Sequence, residues 1–398
     1  MKILVPLLLL SGGCFAQQTV SSVADGLATN PFVWSCSCIP STSAHVTISH
    51  HITMNSDWLV NNGGSITVTS TGTFNQDANR SILIDGSGSQ FIVQGGSIFE
   101  SFAFTNGASG SNSGTFKVDK GLYYEAGTTF TNSGSMPGID SLETQGTFTN
   151  TGSIAAGNLL NTGTFNVNGG VVTADSLGTT GNYLVTNGVT YASAFGNTGI
   201  VSVAAGGAPI YIAYDGYNTG EIYLGTGTVV TVGSSFYNGD LQNHDAVLEV
   251  NGLMTVNIDF ATSDVLEGTG TLCVGQGTSN SGSVSGSLNF CDNTGEGTFD
   301  LNVGTIAPTV VYCTPGCYLD LPKNVQTNSS FSPNPATSTI QLTSDNTTRA
   351  AIYSSTGELM LSITDGFDKI DVSRLGAGMY LLIIETQHET KSEKLVIE

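Results

Sequence analysis

A short phrase returns along the middle of the chain and limits the folds open to it. Gly72-Thr73-Phe74, Gly114-Thr115-Phe116, Gly146-Thr147-Phe148 and Gly163-Thr164-Phe165 share one form. Phe130-Thr131-Asn132-Ser133-Gly134 and Phe148-Thr149-Asn150-Thr151-Gly152 share another and lie one period of 18 residues apart. Asn161-Thr162-Gly163, Asn197-Thr198-Gly199 and Asn218-Thr219-Gly220 continue it. Each phrase alternates an apolar with a small polar residue, the strand period of two, and ends in Asn or Gly, which admit positive φ at a turn. No stretch keeps a helical period.

Units of this size cannot bury a face alone and must stack. The expectation is an all-β chain built as a right-handed parallel β-solenoid (β-helix), each rung's Phe, Val, Ile or Leu covering the next. Phe130 then sits over Phe148, and Asn132 over Asn150 in an internal amide ladder. The spacing is uneven, 11 residues from Asn150 to Asn161 and 21 from Asn197 to Asn218, so loops of varying length interrupt the rungs. A jelly roll or sandwich is the alternative.

Composition agrees with a turn-rich β protein. The chain has 51 Gly in 398 residues and 10% charged residues, against roughly 25% in ordinary soluble domains. A formal net charge of −21 repels phosphate backbones and anionic lipid, which argues against a nucleic-acid partner. From residue 18 to 320 there are 22 acidic residues against Arg80, Lys117 and Lys120, whereas 325 to 398 holds nine acidic and five basic. That shift marks a domain boundary.

Met1-Lys2, the apolar run Ile3 to Leu10 and the small residues after it read as a signal peptide over 1–16, cleaved after Ala16. Lipidation at Cys14 competes, although Ser11 stands where a lipobox wants an aliphatic side chain. No later apolar run reaches the ~20 residues of a membrane span, so no transmembrane segment is expected. Six cysteines remain in an exported chain and point to disulfides. Their clustering favours Cys273 with Cys291 and Cys313 with Cys317, and leaves Cys36 and Cys38 open. Zinc is the alternative for that four-cysteine set, but the spacings lack two Cys-x-x-Cys arms.

The passenger is expected over 17–320, with an N-terminal cap at about 25–58 that holds Trp34, Pro40 and Trp58, because an open solenoid end exposes unpaired backbone. Trp34, Pro40 and the strand Val46-Thr47-Ile48 resemble the leader segment of many secreted β-helix proteins of the Bacteroidetes. Residues 321–330 are polar and without period, as in a linker. Beyond them come Phe331-Ser332-Pro333-Asn334-Pro335, Ala351-Ile352-Tyr353-Ser354-Ser355-Thr356-Gly357-Glu358, Ile370 to Tyr380 with the bend Gly376-Ala377-Gly378, and Lys394-Leu395-Val396-Ile397. Alternation at Met379, Leu381 and Ile383 describes a small C-terminal β-sandwich over 331–398.

These blocks resemble the type A sorting domain of the type IX secretion system. On that resemblance Pro333, Asn334, Pro335, Gly357, Gly378, Tyr380 and Lys394 carry the sorting motif, and the partner is the type IX secretion machinery. The implied destination is the medium or the outer cell surface, after removal of the signal peptide and the sorting domain.

The passenger's own function is read from its chemistry. Polysaccharide lyases and glycoside hydrolases use β-helices, and such an enzyme is the alternative reading. A lyase needs cations beside an acidic sugar, and a hydrolase needs two carboxylates at a fixed separation. The body has three cations and no recognisable pair of acids. His45, His50 and His51 are close in sequence and read as turn or surface residues. Asp85-Gly86-Ser87-Gly88 has the flavour of a calcium loop without its alternating Asp. Catalytic, cofactor-binding and metal residues are therefore none, with Ca²⁺ at loop carboxylates the one cation left open. Thr67, Thr69, Thr71 and Thr73, and Thr147, Thr149 and Thr151, suggest flat threonine faces, and a match to ice is a remote third reading. Asp140-Ser141-Leu142 and Asp175-Ser176-Leu177 resemble the O-glycosylation pattern of the Bacteroidetes, on Ser141 and Ser176. The expectation is a surface module, structural or adhesive, that binds glycans or surface proteins without catalysis.

Overall fold

The structure is a computed structural model that describes residues 17–77, 79–240, 245–294, 298–313, 331–342, 347–354, 359–386 and 390–397. The signal peptide and linker expectations, Cys317 and Gly357 lie outside these residues. The chain divides into two compact units, Met1–Cys317 and Tyr318–Glu398.

The first unit is a parallel β-solenoid of about 13 turns. Each turn supplies one strand to each of three parallel faces. The first face stacks His45–Ile48, Ser65–Val68, Gln90–Val93, Ser109–Asn112, Thr129–Asn132 and Thr147–Asn150, and continues through Ile200–Val203 to Val265–Glu267. The second face includes His51–Met54, Thr73–Gln76, Ile210–Ile212, Val229–Val232, Leu253–Val256, Thr271–Val274 and Asn289–Asp292. The third includes Trp58–Val60, Ile82–Asp85, Gly216–Asn218, Phe236–Asn238, Phe260–Thr262 and Thr278–Asn280. Long strands such as Thr164–Thr179 and Asn182–Asn197 turn the corners unbroken and serve all three faces.

Register follows from identity of side chains. Thr129 pairs with Thr147, Phe130 with Phe148, Thr131 with Thr149 and Asn132 with Asn150. A slip of one residue would turn every Phe outward, so burial fixes the pairing. Inside, Phe130, Phe148, Phe165 and Tyr183 form one column, with successive ring centroids 5.3, 4.9 and 5.4 Å apart and ring planes within 25°. All four are buried. Beyond Tyr183 the same column continues as Val201, Ile222, Leu248 and Leu266.

The recurring Asn form the internal amide ladder expected of them, whereas the Gly that follow have a reason other than the positive φ expected at a turn. Asn132 donates from Nδ2 to Asn150 Oδ1 at 2.7 Å and accepts from Asn112 at 2.8 Å, inside the solenoid. A second ladder on the third face joins Asn197 to Asn218 and Asn218 to Asn238, at 2.8 and 2.7 Å. Asn197 also spends Nδ2 on the Glu221 carbonyl and Oδ1 on the Gly199 amide. A buried amide left without partners would cost about 1–3 kcal/mol, and stacking removes that cost rung by rung. The glycine two residues on does not have positive φ at 134, 152, 163, 181, 199 or 220. It is there because a Cβ on Gly199 would lie 2.2 Å from the Gly181 carbonyl oxygen, and one on Gly220 2.2 Å from that of Gly199. The corners touch backbone to backbone.

The N-terminal cap is narrower than the sequence suggested. Thr19–Ser21 and Gly26–Leu27 already pair with His45–Ile48 and His51–Met54, so residues 45–60 form a full rung. The covering piece is the excursion between these rungs, with the 3₁₀ turn Pro31–Val33 and Trp34, whose Nε1 donates to the Ala28 carbonyl at 2.9 Å. The Ser35 amide donates to Ser21 and the Val23 amide to Val33, which occupies the first strand's free edge.

The second unit is antiparallel. Phe331–Ser332, Thr339–Leu342 and Ile370–Asp371 make one sheet, and Leu359–Ile363, Thr347–Ser354, Gly378–Thr386 and Thr390–Ile397 the other. Leu382, Ile384, Leu395 and Ile397 are buried, while Leu381 is 43% exposed. The inward set thus has the opposite parity to Leu381 and Ile383, because an unbroken apolar run cannot reveal which face turns inward.

Candidate functional site

The sorting residues are described first. Pro333, Asn334 and Pro335 lie exposed in a turn between buried Phe331 and buried Ala336. The Asn334 Oδ1 accepts the Val396 amide at 2.9 Å, and the Ala336 amide donates to the Val396 carbonyl at 2.8 Å. The first and last segments of the unit are therefore tied together, across a sequence separation of 62 from Asn334 to Val396. Tyr380 donates from its hydroxyl to the Gly376 carbonyl at 2.9 Å, closing the bend that Gly378 follows. Gly378 and Tyr380 pair with Ile397 and Leu395, and Lys394 with Leu381, in the final hairpin. Asp371 accepts from the hydroxyl and amide of Ser373, which hold its carboxyl below the usual range.

Cysteine pairing departs from the sequence expectation. Cys291 is joined to Cys313, with Cα atoms 5.1 Å apart, a pairing the clustering in sequence did not offer. Cys273 lies in register beside Cys291 on the preceding rung and is itself disulfide-bonded. Cys291 thus has a cysteine in register on either neighbouring rung, Cys273 before it and Cys313 after it, an arrangement that a spacing of 18 and then 22 residues conceals in the sequence. Cys36 and Cys38 are joined across one residue.

The three histidines do not converge. His45 bonds Ser65 and Gln17, His50 bonds Ser22, and His51 bonds Thr73, each to its own rung neighbour. Asp85 accepts from Asn106 and Thr105, which lower its pKa in that order. Its Oδ1 is thereby occupied by the protein itself. Among the described residues no three His, Cys, Asp or Glu come together as a metal site. Thr67 and Thr73 fall on different strands with a turn between them, so the four threonines near residue 70 share no face. Threonine ladders do run across rungs, Thr129–Thr147–Thr164 and Thr131–Thr149. Ser141 and Ser176 are exposed on one column of the third face, with Asn158 between them.

Two surface features were less legible. On the first face Tyr223 donates to Glu221 Oε2 at 2.7 Å, and Glu249 stands in register with Glu267. That hydrogen bond, then partial burial and the charges of Glu221, Glu249 and Glu267, push the Tyr223 phenol up to about 12. The other feature is a set of outward tyrosines. Tyr191 and Tyr211 stack on the second face at 5.1 Å and 10°, and Tyr217 and Tyr237 on the third at 5.2 Å and 15°. A groove of about 300 Å³ runs beside the first pair, lined also by Thr173, Ser193, Ala213, Thr231 and Gly233. The 20-residue spacing within both pairs, one rung, was the sequence signal for them.

No curated protein and no solved structure matches the chain. No helix among the described residues is long and apolar enough to cross a membrane. Residues 330–398 match the family described as a secretion system C-terminal sorting domain, the stretch that forms the second unit's antiparallel sheets. The chain is therefore a β-solenoid protein that carries a type IX sorting domain of type A at its C-terminal end and is secreted to the outer surface or the medium.

Proposed function

We infer that the solenoid is a non-catalytic surface module, structural or adhesive, that binds glycan or protein surfaces with its outer faces. The observation that carries this reading is how the inside is used. Amide ladders and ring stacks occupy the interior of successive rungs, so contact with a partner falls to the outer faces, which present threonine ladders and exposed tyrosines in strict register. Such a surface suits many weak contacts rather than one reactive centre. The groove of about 300 Å³ holds no carboxylate, and a second of about 270 Å³ holds Glu143 alone.

A screen of the secreted chain against glycans and extracellular proteins, run beside polysaccharide digestion assays, tests it. Binding without release of reducing ends or unsaturated sugars is the expected result, and turnover refutes it. Deleting 325–398 should leave this binding intact while trapping the protein in the periplasm.

One observation favours the alternative of a carbohydrate-active enzyme. Glu249 and Glu267 stand in register on adjacent rungs, and strands lie ~4.8 Å apart, near the carboxylate separation of retaining glycosidases. Turnover abolished by Glu249→Gln or Glu267→Gln would establish that reading.

A further inference from the structure

We propose that the tyrosine pairs Tyr191–Tyr211 and Tyr217–Tyr237 are two subsites for an uncharged polysaccharide, a reading that rests on the adhesive function above and names its ligand. The pairs share one design. Thr173 precedes Tyr191 in register and Thr231 follows Tyr211. Gly196 precedes Tyr217 and Ala261 follows Tyr237. Each aromatic stack therefore ends after two rings, and a residue without a ring takes the next place on either side.

Rungs lie ~4.8 Å apart, so each truncated stack leaves a slot one ring thick. A pyranose ring fits that slot, laying its C–H face on the tyrosine and its hydroxyls toward Thr173, Ser193 and Thr231. Aromatic side chains supply this kind of contact, apolar on the ring and polar at the hydroxyl. The rings are open to a ligand: Tyr191 is 44%, Tyr211 38% and Tyr217 52% exposed, and Tyr214, on the corner between the two pairs, 66%. In the core these rings would be buried like Tyr183, so their exposure is a cost that a ligand offsets.

Charge selects among sugars. No Lys or Arg occurs from 121 to 322. Asp215 lies between Tyr214 and Tyr217, its carboxylate stabilised by Ser234 and the Ser235 amide, and Glu221 follows shortly after. An anionic polysaccharide would meet repulsion with no cation to answer it. A neutral chain meets none.

The test uses the full secreted chain and affinity electrophoresis in gels holding a soluble mixed-linkage β-glucan, a galactomannan or polygalacturonate. At least one neutral polysaccharide should retard the protein and polygalacturonate should not. Tyr211→Ala with Tyr217→Ala should weaken retardation about tenfold without lowering Tm, and Tyr211→Trp should restore it in the Tyr217→Ala background. Retardation unchanged in the double variant would overturn these subsites while leaving the adhesive function standing. Preference for polygalacturonate, or failure of both neutral chains, would overturn the ligand class. A wild-type dimer in sizing chromatography that the double variant dissolves would also overturn it, in favour of a second copy on these rings. Sugar release by the wild type would instead overturn the non-catalytic reading.

Discussion

The two halves of the solenoid fill the first-face column differently, with rings up to Tyr183 and aliphatic side chains from Val201 onward. From Phe74 to Tyr183 the buried rings Phe74, Phe99, Phe116, Phe130, Phe148, Phe165 and Tyr183 touch one another rung after rung. Beyond Tyr183 that column changes to Val201, Ile222 and Leu248, while Phe195 and Phe236 stay buried on the third face and Tyr191, Tyr211, Tyr217 and Tyr237 stack outside. The backbone register is the same on both sides of the change. A parallel rung thus fixes where a ring goes by the parity of its position, so one stretch of chain places Phe236 in the core and its neighbour Tyr237 on the surface.

The largest effect should come from breaking the inner stack. Phe148→Ala removes a fully buried ring that contacts Phe130 and Phe165, and should cost about 3–5 kcal/mol in urea unfolding. Val201→Ala, one column position from Tyr183, should cost roughly 1–2 kcal/mol because fewer methyl groups are lost. Equal losses at the two sites would show that the aromatic part of the column is no better packed than the aliphatic part.

Gly199→Ala tests the corner that both halves share. Its Cβ would meet the Gly181 carbonyl oxygen at 2.2 Å, and that contact is backbone, unable to rotate away. A loss of about 2–3 kcal/mol is expected, whereas Gly121→Ala, with open space at the Cβ, should be close to neutral. A smaller loss at Gly199 would mean that rungs separate easily.

Next comes a stabilising change at the foot of the third-face ladder. Asn161 donates to Thr179 and Asn182, but its Oδ1 and the Thr144 hydroxyl, adjacent in register, are buried without a hydrogen-bond partner. Thr144→Asn should extend the ladder by one amide and raise stability by about 1 kcal/mol. An unchanged or lowered urea midpoint would refute the ladder account.

The smallest effect is visible only at high pH. Burial raises the phenol pKa values of Tyr124 and Tyr183, and at Tyr183 the bond to Thr190 opposes the shift in part. In the unfolded chain both would ionise near 10. Their folded values are raised, so their contribution to stability is complete below that pH and is lost as pH climbs through the folded values. A spectrophotometric titration should show these two phenols ionising only as the solenoid unfolds.

Much of this was written in the phrases themselves. Phe130 over Phe148 and Asn132 over Asn150 follow from an 18-residue repeat that places equal side chains one rung apart. The sorting domain was legible from local blocks such as Phe331 to Pro335. Less was legible wherever spacing drifts, since the excursion at 28–44 hid the first rung and the one-rung step joining Cys291 to Cys313 spans a separation of 22.

The sequence by itself determined which residues repeat, and therefore that strands stack in parallel with Phe and Asn inside. Only the tertiary structure decided why glycine closes the phrases, which cysteine meets which, and that four tyrosines stand as two truncated stacks. Repetition encodes what a rung does internally, through the period of two, whereas neighbours across rungs depend on the exact length of every intervening loop, and that length is settled only when the turns are laid on one another.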